Sequence, residues 1–121
     1  MTTKMVERTS VIALDDSATL EAVVEDTGVT LVEFFTEWCG TCQQMTPTLE
    51  TLAADTDAAI VTVDIESHLE TAVEFGAQST PTFVLFVDGQ PVKQLRGAQT
   101  EQSLRELIAK YEIRCTTDDS H

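Results

Sequence analysis

The sequence predicts an α/β domain: a mixed central β-sheet flanked by helices on both faces. Three observations carry that prediction. Two β-branched apolar runs, residues 30–35 and 60–65, are separated by a segment with helical spacing, the order of a right-handed parallel βαβ unit. A third run, residues 82–87, leads through Asp88-Gly89 into residues 91–96, a two-residue hairpin that makes its strands antiparallel. At 121 residues, 42% apolar and 23% charged, the chain has the size and composition of one globular domain, with no internal repeat, linker or low-complexity segment. We take it as one domain over 1–121, with its core at about 10–112 and flexible ends at 1–9 and 113–121.

The elements follow in order. Val11-Ile12-Ala13-Leu14 is a short apolar run, and Asp15-Asp16-Ser17 supplies cap residues for a helix with Leu20, Val23 and Val24 on one face, stopped by Gly28. The first buried strand, residues 30–35, runs into Thr36-Glu37-Trp38-Cys39. From Cys42 onward Met45, Leu49, Leu52 and Ala53 recur at helical spacing, and Pro47 inside that pattern predicts a kink. After the second buried strand, Ser67-His68-Leu69-Glu70 reads as a capping box. Its helix is expected to bury Leu69, Ala72 and Val73 and to end at Gly76. Beyond the hairpin, Gly97 breaks the strand and Thr100 caps a last helix with Leu104, Leu107, Ile108 and Tyr111 inward; residues 115–121 read as a frayed polar tail.

Charge excludes several functions. Twenty-one acidic against seven basic residues leave a net charge of -14, which repels nucleic acid phosphates and anionic lipid surfaces. No nucleic acid or membrane partner is expected. The acids are spread along the whole chain, a pattern suited to high salt, where the screening length shortens to roughly 3 Å at 1 M. A halophilic source is the expectation. No stretch approaches the roughly 20 apolar residues of a membrane span, and residues 1–8 lack a secretion signal, so a cytoplasmic location is expected. In that reducing compartment a close cysteine pair points to catalysis or metal binding.

Trp38-Cys39-Gly40-Thr41-Cys42 sits between the end of a strand and the start of a helix. Unpaired backbone N–H groups and the helix dipole there stabilise a negative charge and lower a thiol's pKa. Cys39, at the helix start, is the candidate nucleophile, and Cys42, one turn inside and more shielded, the candidate resolving thiol. The alternatives are a structural disulfide or a zinc site. Zinc normally takes four Cys or His ligands, and the remaining candidates, Cys115, His68 and His121, form no second paired motif. No cofactor or metal is expected: a G-x-G-x-x-G fingerprint is missing, so electrons must come from outside the chain.

These landmarks, with Pro47 in the following helix, Ser79-Thr80-Pro81-Thr82 before a strand, Asp88-Gly89 in a hairpin and Gly97 before the last helix, resemble the thioredoxin family over roughly residues 11–111. The resemblance implies the thioredoxin fold and a redox-active Cys39–Cys42 disulfide. It implies a protein-disulfide reductase that serves redox homeostasis, acts on disulfide-containing client proteins and is re-reduced by a thioredoxin reductase, with the chain a monomer. It further implies a cis bond before Pro81, a Thr80 backbone that receives the client, and a docking rim of Trp38, Gly40, Gly97 and Ala98. An ordinary trans proline and a tryptophan without a task are the plainer readings.

Three positions depart from the family pattern. Glu33 stands where the family usually has a buried Asp that relays a proton to the resolving cysteine; burial would raise its pKa and suit it to that work, unless the longer side chain reaches solvent. The lysine the family often carries beside that acid is Thr62 here. Thr41 replaces the proline between the cysteines, and its hydroxyl can donate to the Cys39 thiolate, so the expected potential is shifted by the loss of a stiff turn, toward the oxidising side. That leaves two alternatives in function: a disulfide oxidase or isomerase, and a noncatalytic binding module. Cys115 is read as a spectator thiol.

Overall fold

Strands β1 (Ile12–Ala13), β2 (Val29–Phe35), β3 (Ala59–Asp64), β4 (Thr82–Val87) and β5 (Gln90–Arg96) form one sheet, in spatial order β1-β3-β2-β4-β5, in the computed structural model. Residues 11–25 and 28–119 are described, with side chains through residue 112. The expectations for residues 1–9 and 120–121 and for the Cys115 side chain lie outside the described residues. β1 and β2 both pair parallel with β3, while β4 lies antiparallel to β2 and to β5, the mixed arrangement read from the βαβ and hairpin signals.

Helices α1 (Leu20–Val24) and α4 (Leu69–Glu74) cover one face; α3 (Thr46–Asp55) and α5 (Glu101–Asp119) cover the other, with α2 (Gly40–Gln44) leading into α3. Side chains alternate along a strand, and β2 divides accordingly. Val32 and Phe34 enter the core with Leu20 and Val24, whereas Val29 and Leu31 enter the core with Leu49, Leu52, Leu104 and Ile108. Glu33 shares the parity of Val29 and Leu31. Its carboxyl therefore enters the α3 side, and so does the side chain of its register partner Thr62, which shares the parity of the inward Ile60.

Several local expectations need correcting. The side-chain cap of α1 is Thr19, whose Oγ1 accepts from the N–H of Ala22 at 3.3 Å; Asp15 instead closes the preceding turn, accepting from Ser17 and from the Ala18 N–H. Ser67 caps nothing, because Asp64 takes over the turn before α4: its Oδ1 accepts from Glu66 N–H at 2.9 Å and its carbonyl from His68 N–H. α4 is also rotated from the expected face. His68, Ala72 and Phe75, at i, i+4 and i+7, point inward, and the Phe75 ring locks that rotation against Phe34 and Phe86 at 6.2 and 5.4 Å. Leu69 and Val73 are left 62% and 75% exposed. Finally, α5 runs through Asp119, past the start of the expected tail at 115.

Other readings hold. Gly76, at φ +66°, ends α4 in a Schellman motif, with Ala77 N–H donating to Ala72 carbonyl at 2.8 Å and Gly76 N–H to Val73 carbonyl. Thr100 caps α5 through Ser103 N–H. The break expected from Pro47 falls at Met45, between α2 and α3, which puts the proline in the first turn of α3, where no N–H is needed. Asp88 and Gly89, at φ 52° and 84°, form the hairpin turn. Among the described residues no helix is long and apolar enough to cross a membrane.

Candidate active site

β2 ends at Phe35, and the chain turns through Thr36–Trp38 onto the N-terminus of α2. Cys39 is the N-cap: its backbone is extended, its N–H donates to the Thr36 carbonyl at 3.1 Å, and its Sγ accepts from the Cys42 N–H at 3.1 Å. A sulfur in that position receives one of the four helix N–H groups that have no partner within the helix. Cys39 and Cys42 are joined as a disulfide with Cα atoms 5.3 Å apart. Their surroundings differ sharply. Cys39 is partly exposed, while Cys42 is only 4% exposed and faces inward.

Behind Cys42 lies a cavity of about 360 Å³ bordered by Glu33 and Thr62 from the sheet and by Thr46 and Leu49 from α3. Glu33 is 3% exposed, its Oε2 has no hydrogen-bond partner in the protein, and burial pushes its pKa from an ordinary 4.5 up to about 7. The buried reading of Glu33 holds.

On the outer side, the Thr80–Pro81 bond is cis, Thr80 is half-buried and Pro81 buried, and the Gly97 N–H donates to the Pro81 carbonyl at 2.8 Å. That bond ties the loop after β5 to the loop before β4. Gly97 holds φ +86°, a left-handed conformation that favours glycine, and Ala98 next to it is exposed. Trp38 is 80% exposed, an unusual setting for so large an apolar side chain, and Gly40 and Thr41 beside it are open to solvent as well.

A family model described as "Thioredoxin" matches residues 10–110. The chain belongs to the thioredoxin family. Curated relatives agree: a thioredoxin of Chlamydia muridarum is 43% identical over 86 residues, 70% of this chain and 84% of that protein. One of Staphylococcus saprophyticus is 42% identical over 86 residues, 69% and 83% of the two chains. Among solved structures, a mutant thioredoxin from Halobacterium salinarum superposes with TM-score 0.81 at 36% identity, covering 86% of this chain and 92% of that one. A Schistosoma mansoni thioredoxin follows at TM-score 0.76 and 30% identity, covering 85% and 96%. Family and cysteine pair together make this thioredoxin a thiol–disulfide oxidoreductase working by dithiol–disulfide exchange, and they do not favour the oxidase, isomerase or noncatalytic alternatives.

Sequence reasoning passed over several residues of this thioredoxin site. Thr36 anchors Cys39 through its carbonyl, Gln43 Nε2 donates to the Glu37 carbonyl at 3.2 Å, and Thr82 Oγ1 donates to the Ser79 carbonyl at 2.6 Å beside the cis bond. Backbone acceptors leave no trace in residue types. The inner wall does leave one: Cys42, Thr46, Leu49 and Glu50 are spaced i, i+4, i+7 and i+8, one helical face that the break at Met45 does not destroy.

Proposed function

We propose that this chain reduces disulfides in client proteins, with Cys39 as nucleophile and Cys42 as resolving thiol. The observation that carries the assignment is the contrast between a half-exposed Cys39 at the N-cap of α2 and a buried Cys42 three residues later. The Cys39 thiolate attacks one sulfur of the client disulfide, forming a mixed disulfide and releasing the other sulfur as a thiolate. Cys42 then loses its proton and attacks Cys39 Sγ. The second client sulfur leaves, the Cys39–Cys42 disulfide closes, and two electrons have passed to the client.

Glu33 takes the Cys42 proton. It lines the same cavity as Cys42, and a carboxyl with its pKa at about 7 is half ionised at neutral pH, suited both to accept a proton and to release it. Client docking falls to the exposed Trp38, Gly40 and Thr41 beside the disulfide and to the loops of Thr80, Pro81, Gly97 and Ala98, where Ala98 is exposed, Thr80 and Gly97 half-buried and Pro81 buried. The oxidised chain returns to the dithiol by exchange with a thioredoxin reductase, and we place the monomeric protein in the cytoplasm of an organism that works at high salt, a reading supported by its net charge of -14.

Insulin reduction with dithiothreitol as donor, at low salt and in molar KCl, tests this reading. Wild type should accelerate precipitation of the insulin B chain, more so in KCl, and Cys39→Ser should not. A folded wild type without activity at either salt would refute it.

A further inference from the structure

The cavity behind Cys42 is built from two kinds of surface. Val11, Phe35 and Leu49 supply apolar wall, and three acidic residues, Glu33, Glu37 and Glu50, border it as well. No basic side chain borders it among the described residues. Glu33 is the deepest of the three, 3% exposed, with Oε2 lacking a partner in the protein. A buried carboxyl with an unused acceptor is costly unless something donates to it.

We propose that this cavity binds an organic cation of the primary-amine class, its ammonium pairing with the Glu33 carboxylate at the cavity wall and its alkyl stem lying along Leu49, Phe35 and Val11. Each part of the ligand answers a feature of the wall. An anion is opposed by three carboxyl groups. A metal ion lacks its ligands, because among the described residues no group of three or more His, Cys, Asp or Glu is placed to hold one. An ammonium group needs fewer fixed partners: it brings three donors, and Glu33 together with the hydroxyls of Thr46 and Thr62 on the same wall can accept them. At about 360 Å³ the cavity exceeds a single water's share of roughly 30 Å³ many times over, so a four-carbon stem fits.

The other titratable residues bordering the cavity are Glu37 from the loop after β2 and Glu50 from α3; Cys42 from α2 is held in the disulfide, and β3 contributes the neutral Thr62. None of these is cationic, so a bound ammonium would favour the ionised form of Glu33. Binding itself does not depend on Glu33 serving as the proton acceptor of Cys42. The same chemistry could arrive as a free amine or as a lysine side chain of a docked polypeptide.

The test is a nuclear magnetic resonance titration of the oxidised full-length chain at pH 8 and constant KCl, with n-butylammonium, N-acetyl-lysine methylamide and n-butanol as probes. Saturable shifts of the Cys42, Leu49 and Thr62 amides are expected with butylammonium. The Glu33 carboxyl midpoint should fall by about one pH unit. Glu33→Gln, checked by its amide spectrum to be folded, should weaken binding about tenfold. Saturation at the same amides by the lysine derivative identifies a polypeptide side chain as the source, and saturation by butylammonium alone identifies a free amine. The proposal is overturned if the shifts do not saturate, if n-butanol or KCl alone reproduces them, or if Glu33→Gln binds as tightly as wild type.

Discussion

The two sides of one disulfide make opposite demands, and the molecule meets them three residues apart. Outside, Trp38 is 80% exposed and Cys39 partly so; inside, Cys42 and Glu33 are 4% and 3% exposed. The outer side is open because a partner sulfur must approach it. The inner side holds a glutamate that burial lifts to a pKa of about 7, the range that the proposed transfer of the Cys42 proton at neutral pH calls for. In the proposed mechanism, exposure thus separates the exchange of sulfur from the exchange of protons.

Breaking the outer side should have the largest effect. Cys39→Ser should lower insulin reduction by about three orders of magnitude or more, as loss of a nucleophile does, while Cys42→Ser should stop after one turnover with the client trapped as a mixed disulfide on a nonreducing gel. Activity retained by Cys39→Ser would reverse the assignment.

The inner side is probed by Glu33→Gln. Its resolving step should slow by roughly tenfold to a hundredfold in stopped-flow measurements, with the initial attack by Cys39 little changed. Stability should move the other way. Because the folded-state pKa of Glu33 lies above the unfolded value of 4.5, the folded chain holds more protons than the unfolded one between pH 4.5 and about 7. Wild-type stability therefore falls as pH rises through that window and levels off above it, losing on the order of 3 kcal/mol from this group. Denaturant titrations of Glu33→Gln should lack that fall, leaving the variant the more stable protein above pH 7; parallel pH profiles would contradict it.

Docking effects are smaller. Trp38→Ala should raise KM for insulin about fivefold with kcat nearly unchanged. Thr41→Pro should make the potential more reducing by on the order of 30 mV in equilibrium with glutathione, and an unchanged or more oxidising value would refute the role given to the Thr41 hydroxyl. The smallest effect belongs to the outward face of α4: Leu69→Ser and Val73→Thr should each change stability by no more than about 0.5 kcal/mol, against several times that if the two side chains were buried.

What was legible follows from the range of each interaction. The sheet was readable because residues 30–35, 60–65 and 82–87 carry their β character locally, and the hairpin because Asp88-Gly89 is set by its own dihedrals. Cys39 and Cys42 were readable for the same reason: spacing and a helix start suffice. The rotation of α4 was not, because it is decided by the Phe75 ring meeting Phe34 and Phe86 from two other elements. The cavity was half legible. Glu33 announces itself as an acid in an apolar strand, but Glu37, Glu50 and Val11 reach it only through the fold.

Alkylation of the reduced protein is the most direct measurement of the division between the two sides. With substoichiometric iodoacetamide between pH 5 and 9 and peptide mass spectrometry to locate the label, Cys39 should be modified first at every pH, with Cys42 unlabelled in the folded chain. Equal labelling of Cys42, or faster labelling, would contradict an outer thiolate and an inner, proton-coupled thiol.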